Sequence, residues 1–200
     1  MKLTIKSMAG AGLVTMLVLP SIAVAQFSQS YNFLKAVRDR DGNKATEIIS
    51  KPGSTIIDTR DDSTSETALM IVTRARDLQW MGFLLSRGAR PDIKDRQGNS
   101  ALIIAAQLGF IEGAQALLDR RASVDLANNS GETPLIRATQ QRDAGMVQLL
   151  LAAGANPKKA DTIAGLSARD YAMRDSRAVN VLKLIEAAKP VKPVAISGPK

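Results

Sequence analysis

Three landmarks return along this chain at one fixed distance. Ser100-Ala101-Leu102 stands 33 residues after Thr67-Ala68-Leu69 and 33 residues before Thr133-Pro134-Leu135. The same step links Leu84-Leu85, Leu117-Leu118 and Leu150-Leu151, and it links Gly88-Ala89, Arg121-Ala122 and Gly154-Ala155. A period of this length, held in register at three separate places, defines a stacked repeat. Each unit is too small to bury its own apolar face, so neighbours must supply the rest of the core.

A segment of another kind precedes the repeats. Lys2 and Lys6 form a basic start, an apolar run follows from Met8 to Leu19, and Pro20 breaks it. Ala23-Val24-Ala25 then offers small residues for cleavage between Ala25 and Gln26. This three-part order predicts a secretory signal peptide over 1–25. The apolar run is short for a span of about 20 residues and is interrupted by Gly10 and Gly12, which argues against a membrane anchor. Removing it lowers the net charge from +8 to about +6. The expected destination is the periplasm of a bacterium, with release to the outside as the alternative.

Within the mature chain, Tyr31 to Asp39 and Lys44 to Ser50 predict a short helix hairpin, a capping unit over about 31–62. Lys51 to Asp62 predicts an extended surface loop with a β-prone Thr55-Ile56-Ile57. Core units follow over about 63–95, 96–128 and 129–161, and a C-terminal unit over about 162–188. In each, a Ser or Thr (Thr67, Ser100, Thr133, Ser167) stands where a first helix begins. Such residues cap helix N-termini. Pro134 suits the first helical turn. Trp80, Met81, Leu84 and Leu85 form the apolar stripe of the second helix in the 63–95 unit, and Gly88 ends that helix. Lys189 to Lys200 carries three prolines and three lysines without periodicity, and reads as a disordered tail.

These residues resemble the ankyrin repeat. GETPLIRAT, GNSALIIAA and SETALMIVT match the family's opening pattern, and Gly88-Ala89 and Gly154-Ala155 match its close. Asp62, Asp95 and Asp161 fall at the family's finger aspartate, with Asn128 once in its place. The resemblance covers about Phe33 to Ala188. It implies an all-α solenoid of about five stacked helix-turn-helix units with projecting finger loops. Two departures stand out. The histidine that ties neighbouring units in this family is Met70, Ile103, Ile136 and Asp170 here, so packing is expected to replace those hydrogen bonds. Arg121 takes the place of a turn glycine, where a bulky side chain is unfavourable, so a different turn is expected.

The absent residue types exclude much chemistry. There is no cysteine and no histidine, which removes thiol nucleophiles, disulfides, thiolate metal sites and the commonest general base. The paired carboxylates Asp61-Asp62, or Asp92 and Asp95, fit glycoside hydrolysis in type. They fit turn-forming and capping aspartates better. No Gly-rich phosphate loop and no calcium-spaced acidic loop occurs. We therefore expect no enzyme, no cofactor and no metal. Aromatic residues make up 4% of the chain, too few for nucleic-acid stacking platforms.

A binding role remains. In the resembled family the first helices line a concave groove and the fingers extend it. Counting from Thr67, Ser100 and Thr133, the fifth position holds Ile71, Ile104 and Arg137, and the eighth holds Arg74, Gln107 and Gln140. The end units contribute Lys35, Arg38, Tyr171 and Arg174. This count predicts a groove with five cations, no acid, two exposed aliphatics and a tyrosine, suited to an acidic protein partner. The expected molecule is a monomeric, non-enzymatic protein-binding scaffold. Alternatives are an immunity-type inhibitor of an enzyme, a secreted effector, and a binder of polyanions or anionic surfaces.

Overall fold

The computed structural model describes residues 21–51 and 54–188, with side chains from residue 29 onward. Ten α-helices lie among the described residues: α1 (Ser21–Arg38), α2 (Gly42–Ile49), α3 (Ala68–Arg74), α4 (Leu78–Ser86), α5 (Ala101–Leu108), α6 (Ile111–Asp119), α7 (Pro134–Gln140), α8 (Ala144–Ala152), α9 (Ala168–Arg174) and α10 (Val179–Ala187). A single 3-10 turn, Ile56–Asp58, interrupts the connection from α2 to α3. The helices pair as five helix-turn-helix units. The odd-numbered helices pack side by side as an inner layer, and α4, α6, α8 and α10 pack likewise as an outer layer. The proposed signal segment lies outside the described residues except for the α1 backbone from Ser21, and the 189–200 tail lies wholly outside them.

Local chemistry sets the helix starts. Thr67, Ser100, Thr133 and Ser167 adopt extended backbone, and each hydroxyl accepts the N–H of the third residue into its helix. That satisfies one of the donors a helix leaves open. Asp41, Asp77 and Asp143 cap α2, α4 and α8 in the same way. Leu84, Leu117 and Leu150 are each fully buried and form the expected ladder through the stack. Met70, Ile103 and Ile136 are also buried.

Three expectations need correction. The first helix begins at Ser21 rather than near Tyr31. The 51–62 connection is not wholly a surface loop, because Ile56 is buried beneath its 3-10 turn, where it meets α1, α2 and α3. Finally, Arg121 keeps the glycine-type turn. Its φ of +62° matches the left-handed hand of Gly88 and Gly154, a strain of roughly 1–2 kcal/mol that the surrounding turn absorbs.

Ties between units come from loop polar groups instead of the missing histidines. The N–H groups of Arg96, Asn129 and Thr162 donate to the carbonyls of Thr64, Gln97 and Ser130 in the preceding hairpin. On the opposite edge, Asp58, Asp92 and Asp125 accept the N–H groups of Arg90, Ser123 and Asn156. Gly98 and Gly131 sit at φ +82° and +77°, and a Cβ on either would come within 2.5 Å of a backbone nitrogen in the next unit. Close stacking of hairpins therefore requires glycine there.

Candidate functional site

The groove between the inner helices and the hairpins begins with the hairpin turns. In each, one side chain accepts N–H groups from the turn that follows it: Asp61 from Ser63 and Thr64, Asp95 from Gln97 and Asn99, Asn128 from Ser130 and Glu132, and Asp161 from Ile163 and Ala164. The expected finger residue of the first turn, Asp62, is thus replaced by Asp61. The reason is length. The first and last hairpins hold one residue more before their helix caps, which also brings Arg60 opposite Thr67 and Ala160 opposite Ser167 as short bridges.

Those hairpin roots carry acids directly onto the groove face, which overturns the expectation of a groove without acids. Lys35 pairs with Asp39 at 2.6 Å, and Arg38 with Asp61 at 2.6 Å. Arg74 donates to Glu66 and lies 3.6 Å from Asp95. Arg137 reaches Glu132 and Gln140, both at 3.3 Å. The hydroxyl of Tyr171 donates to Asp161 at 2.8 Å. Arg174 faces the charge of Asp170, which also caps its own helix. Counting groove positions finds the cations but not their partners, because Asp61, Glu66, Asp95 and Glu132 lie in the hairpins before the helices.

The two aliphatic positions also differ from expectation. Ile104 is fully buried, since α5 is flanked by α3 on one side and α7 on the other. Ile71 is half-buried against the core, and Gln107 is exposed.

The floor is a connected chain of hydrogen bonds, joined to Arg74 by its ion pair with Asp95. Asp95 accepts from Asn99, whose carbonyl oxygen accepts from Asn128 at 3.2 Å. Asn128 also donates to Glu132 at 2.9 Å, Gln140 donates to Glu132 at 3.3 Å, and Gln140 bonds the hydroxyl of Tyr171. The chain thus runs from Glu66 through Arg74 to Asp161. Burial opposes the charge of Asp161, yet donors from Ala164, Tyr171, Ile163 and Gly165 outweigh it and hold the carboxyl below its ordinary range. Burial, and then the bond to Asp161, pushes the Tyr171 hydroxyl up. Asp61 is held far below the usual range by Ser63 and Arg38.

Trp80 packs against the core, as its place in the apolar stripe predicts, but is not enclosed by it. It is half-buried and forms an edge-to-face pair with Phe83, ring centroids 5.5 Å apart, on the outer layer. Among the described residues no group of three or more acidic side chains is placed to hold a metal ion, and no helix is long and apolar enough to cross a membrane.

A stack of five helix pairs joined by extended hairpins defines a helical-repeat solenoid. The family model described as "Ankyrin repeats (3 copies)" matches residues 33–128 and 69–161, and the chain belongs to the ankyrin repeat family. Ankyrin repeats generally mediate protein–protein binding, and proteins built from them are typically non-enzymatic scaffolds.

Proposed function

We propose that this protein is a scaffold that binds an acidic protein partner through its groove and fingers, acting as a monomer in the periplasm after loss of residues 1–25. The observation that carries this reading is the hydrogen-bonded floor. Its arginines are held in fixed positions by Glu66, Asp95 and Glu132, yet Arg74 remains 42% exposed. Groups fixed before binding lose little freedom on binding, so they favour a specific partner. Net attraction for an acidic surface comes from the fingers. There Lys94, Arg96 and Lys159 donate to carbonyls of Ala127, Asp62 and Asp125 rather than to carboxylates, and keep their charge uncompensated. The floor would set orientation while the fingers supply steering.

The test is an affinity capture from periplasmic extract with the chain from Gln26 to Lys200. One control bait carries Arg74→Glu and Arg137→Glu, another carries Lys94→Glu, Arg96→Glu and Lys159→Glu. Circular dichroism first verifies that all three fold. One acidic protein held by the parent bait and weakened on both controls supports the reading. Retention unchanged on both controls would exclude the groove and fingers together.

A further inference from the structure

The outer layer is not continuous. Helices α4, α6, α8 and α10 each pack against the next, but α2 turns instead to α1 and to the 3-10 turn at Ile56–Asp58. A cleft of about 450 Å³ is left between α2 and α4, lined by Arg40, Thr46, Asp77, Gln79, Trp80 and Phe83. We infer that this cleft is a docking site, separate from the groove, for an apolar side chain borne on an acidic segment of a partner protein.

The repeat itself does not need these aromatic side chains. In the next two units the position of Trp80 holds Gly113 and Met146, both buried. A Cβ on Gly113 would fall 2.3 Å from the Phe110 ring, so that unit closes the same place with its own aromatic. In the α4 unit the place is open, and two aromatic rings face it. Half-buried aromatics at a concave surface are the groups that most often anchor a partner.

The charge around the cleft selects the partner. Asp77 is the carboxylate that lines it, and it is already engaged by the guanidinium of Arg40 at 2.7 Å and by the N–H of Trp80 at 3.1 Å. Arg40 itself is 64% exposed and holds a left-handed φ of +58°. Arg87 stands over the Phe83 ring, 5.2 Å from its centroid. Arg40 and Asp77 cancel as a pair, so Arg87 is the charge left beside the apolar floor. An apolar side chain with a neighbouring carboxylate meets complementary charge at Arg87, whereas a basic segment meets repulsion there.

Trp80 is the chain's sole tryptophan, so its emission reports the cleft directly. The probe is a nine-residue peptide with a central phenylalanine flanked by two glutamates on each side, capped at both ends. It is titrated into the full mature chain beside two relatives, one with lysines for the glutamates and one with alanine for the phenylalanine. A saturable shift in emission is expected with the first peptide, and binding weaker by about tenfold or more with each relative, the size of effect that close charge pairs and buried aromatic anchors produce. Gln79→Glu, an exposed substitution that adds charge to the lining without breaking a bond, and Arg40→Glu should each weaken the first peptide comparably. Arg74→Glu with Arg137→Glu in the groove should leave it unchanged, which separates this site from the groove. A response equal for glutamate and lysine peptides, or no saturable response with any of them, or full binding in Gln79→Glu, overturns the inference.

Discussion

Helix α7 and helix α9 occupy equivalent places in successive units but face different neighbours. Helix α7 is covered by α9, whereas nothing among the described residues stacks beyond α9. Where α7 buries Leu135, Ile136 and Thr139, α9 carries Arg169, Asp170 and Met173. Arg169 pairs with Glu186 of α10 at 2.8 Å across the end face, and Asp170 completes a capping box with Ser167. The same helix template is thus written apolar where it must stack and charged where the stack must stop. That is how a repeat array avoids continuing into a neighbouring molecule.

The contrast can be broken most strongly from the interior. Leu117→Ala removes the centre of the leucine ladder and is expected to cost roughly 2–5 kcal/mol in urea unfolding. Ile185→Ala, at the end unit, should cost distinctly less, and an equal or larger cost would dissolve the distinction. Next, Asp95→Ala strips the acceptor from the N–H groups of Gln97 and Asn99 in an interior hairpin. A loss of about 1–3 kcal/mol is expected from leaving buried donors unsatisfied, again read by urea unfolding.

Acid should act on the ends first. Asp170 is lowered chiefly by the Ser167 hydroxyl, Asp175 by the Arg177 N–H and Arg142, and Asp161 by its turn donors against burial, all in or beside the last unit. Their folded pKa values lie below the unfolded value of about 3.9. The stability they contribute is therefore complete above that value and is lost as pH falls through the folded values. Hydrogen exchange followed from about pH 4 downward should show α9 and α10 opening before α5. Simultaneous opening of all units would refute the assignment. The smallest effect is expected from Glu186→Gln, which breaks a half-exposed ion pair and should shift stability by less than about 1 kcal/mol.

Much of the fold was legible because the period fixes it. The four hydroxyl caps, the leucine ladder and the turn glycines all lie on helices or at their ends, where spacing carries the information. The groove was legible only by half. Its arginines sit at counted helix positions, but Glu66, Asp95 and Glu132 belong to hairpins, and hairpin length changes by a residue at the two ends of the stack. Asp61 was passed over for Asp62 for that reason. A count along one helix places Ile104 on the exposed face because it does not register the two helices beside it. Trp80 packs on the core beside the buried Met81, Leu84 and Leu85, yet stays half-buried. No pattern within one unit reveals that α2 fails to cover it.

The ties between hairpins also bear on how such a gene changes. Lys94 and Asn129 reach partners 33 residues away in the adjoining unit, and both interior junctions repeat two further ties, Asn129 to Gln97 and Thr162 to Ser130 at one offset, Ser123 to Asp92 and Asn156 to Asp125 at another. Duplication or loss of one whole interior unit in the reading frame would bring equivalent donors and acceptors face to face again. Insertions of any other length would leave a row of them mismatched. Heredity can therefore lengthen or shorten this protein's grip in whole units, while the longer hairpins at either end mark where the count begins and stops.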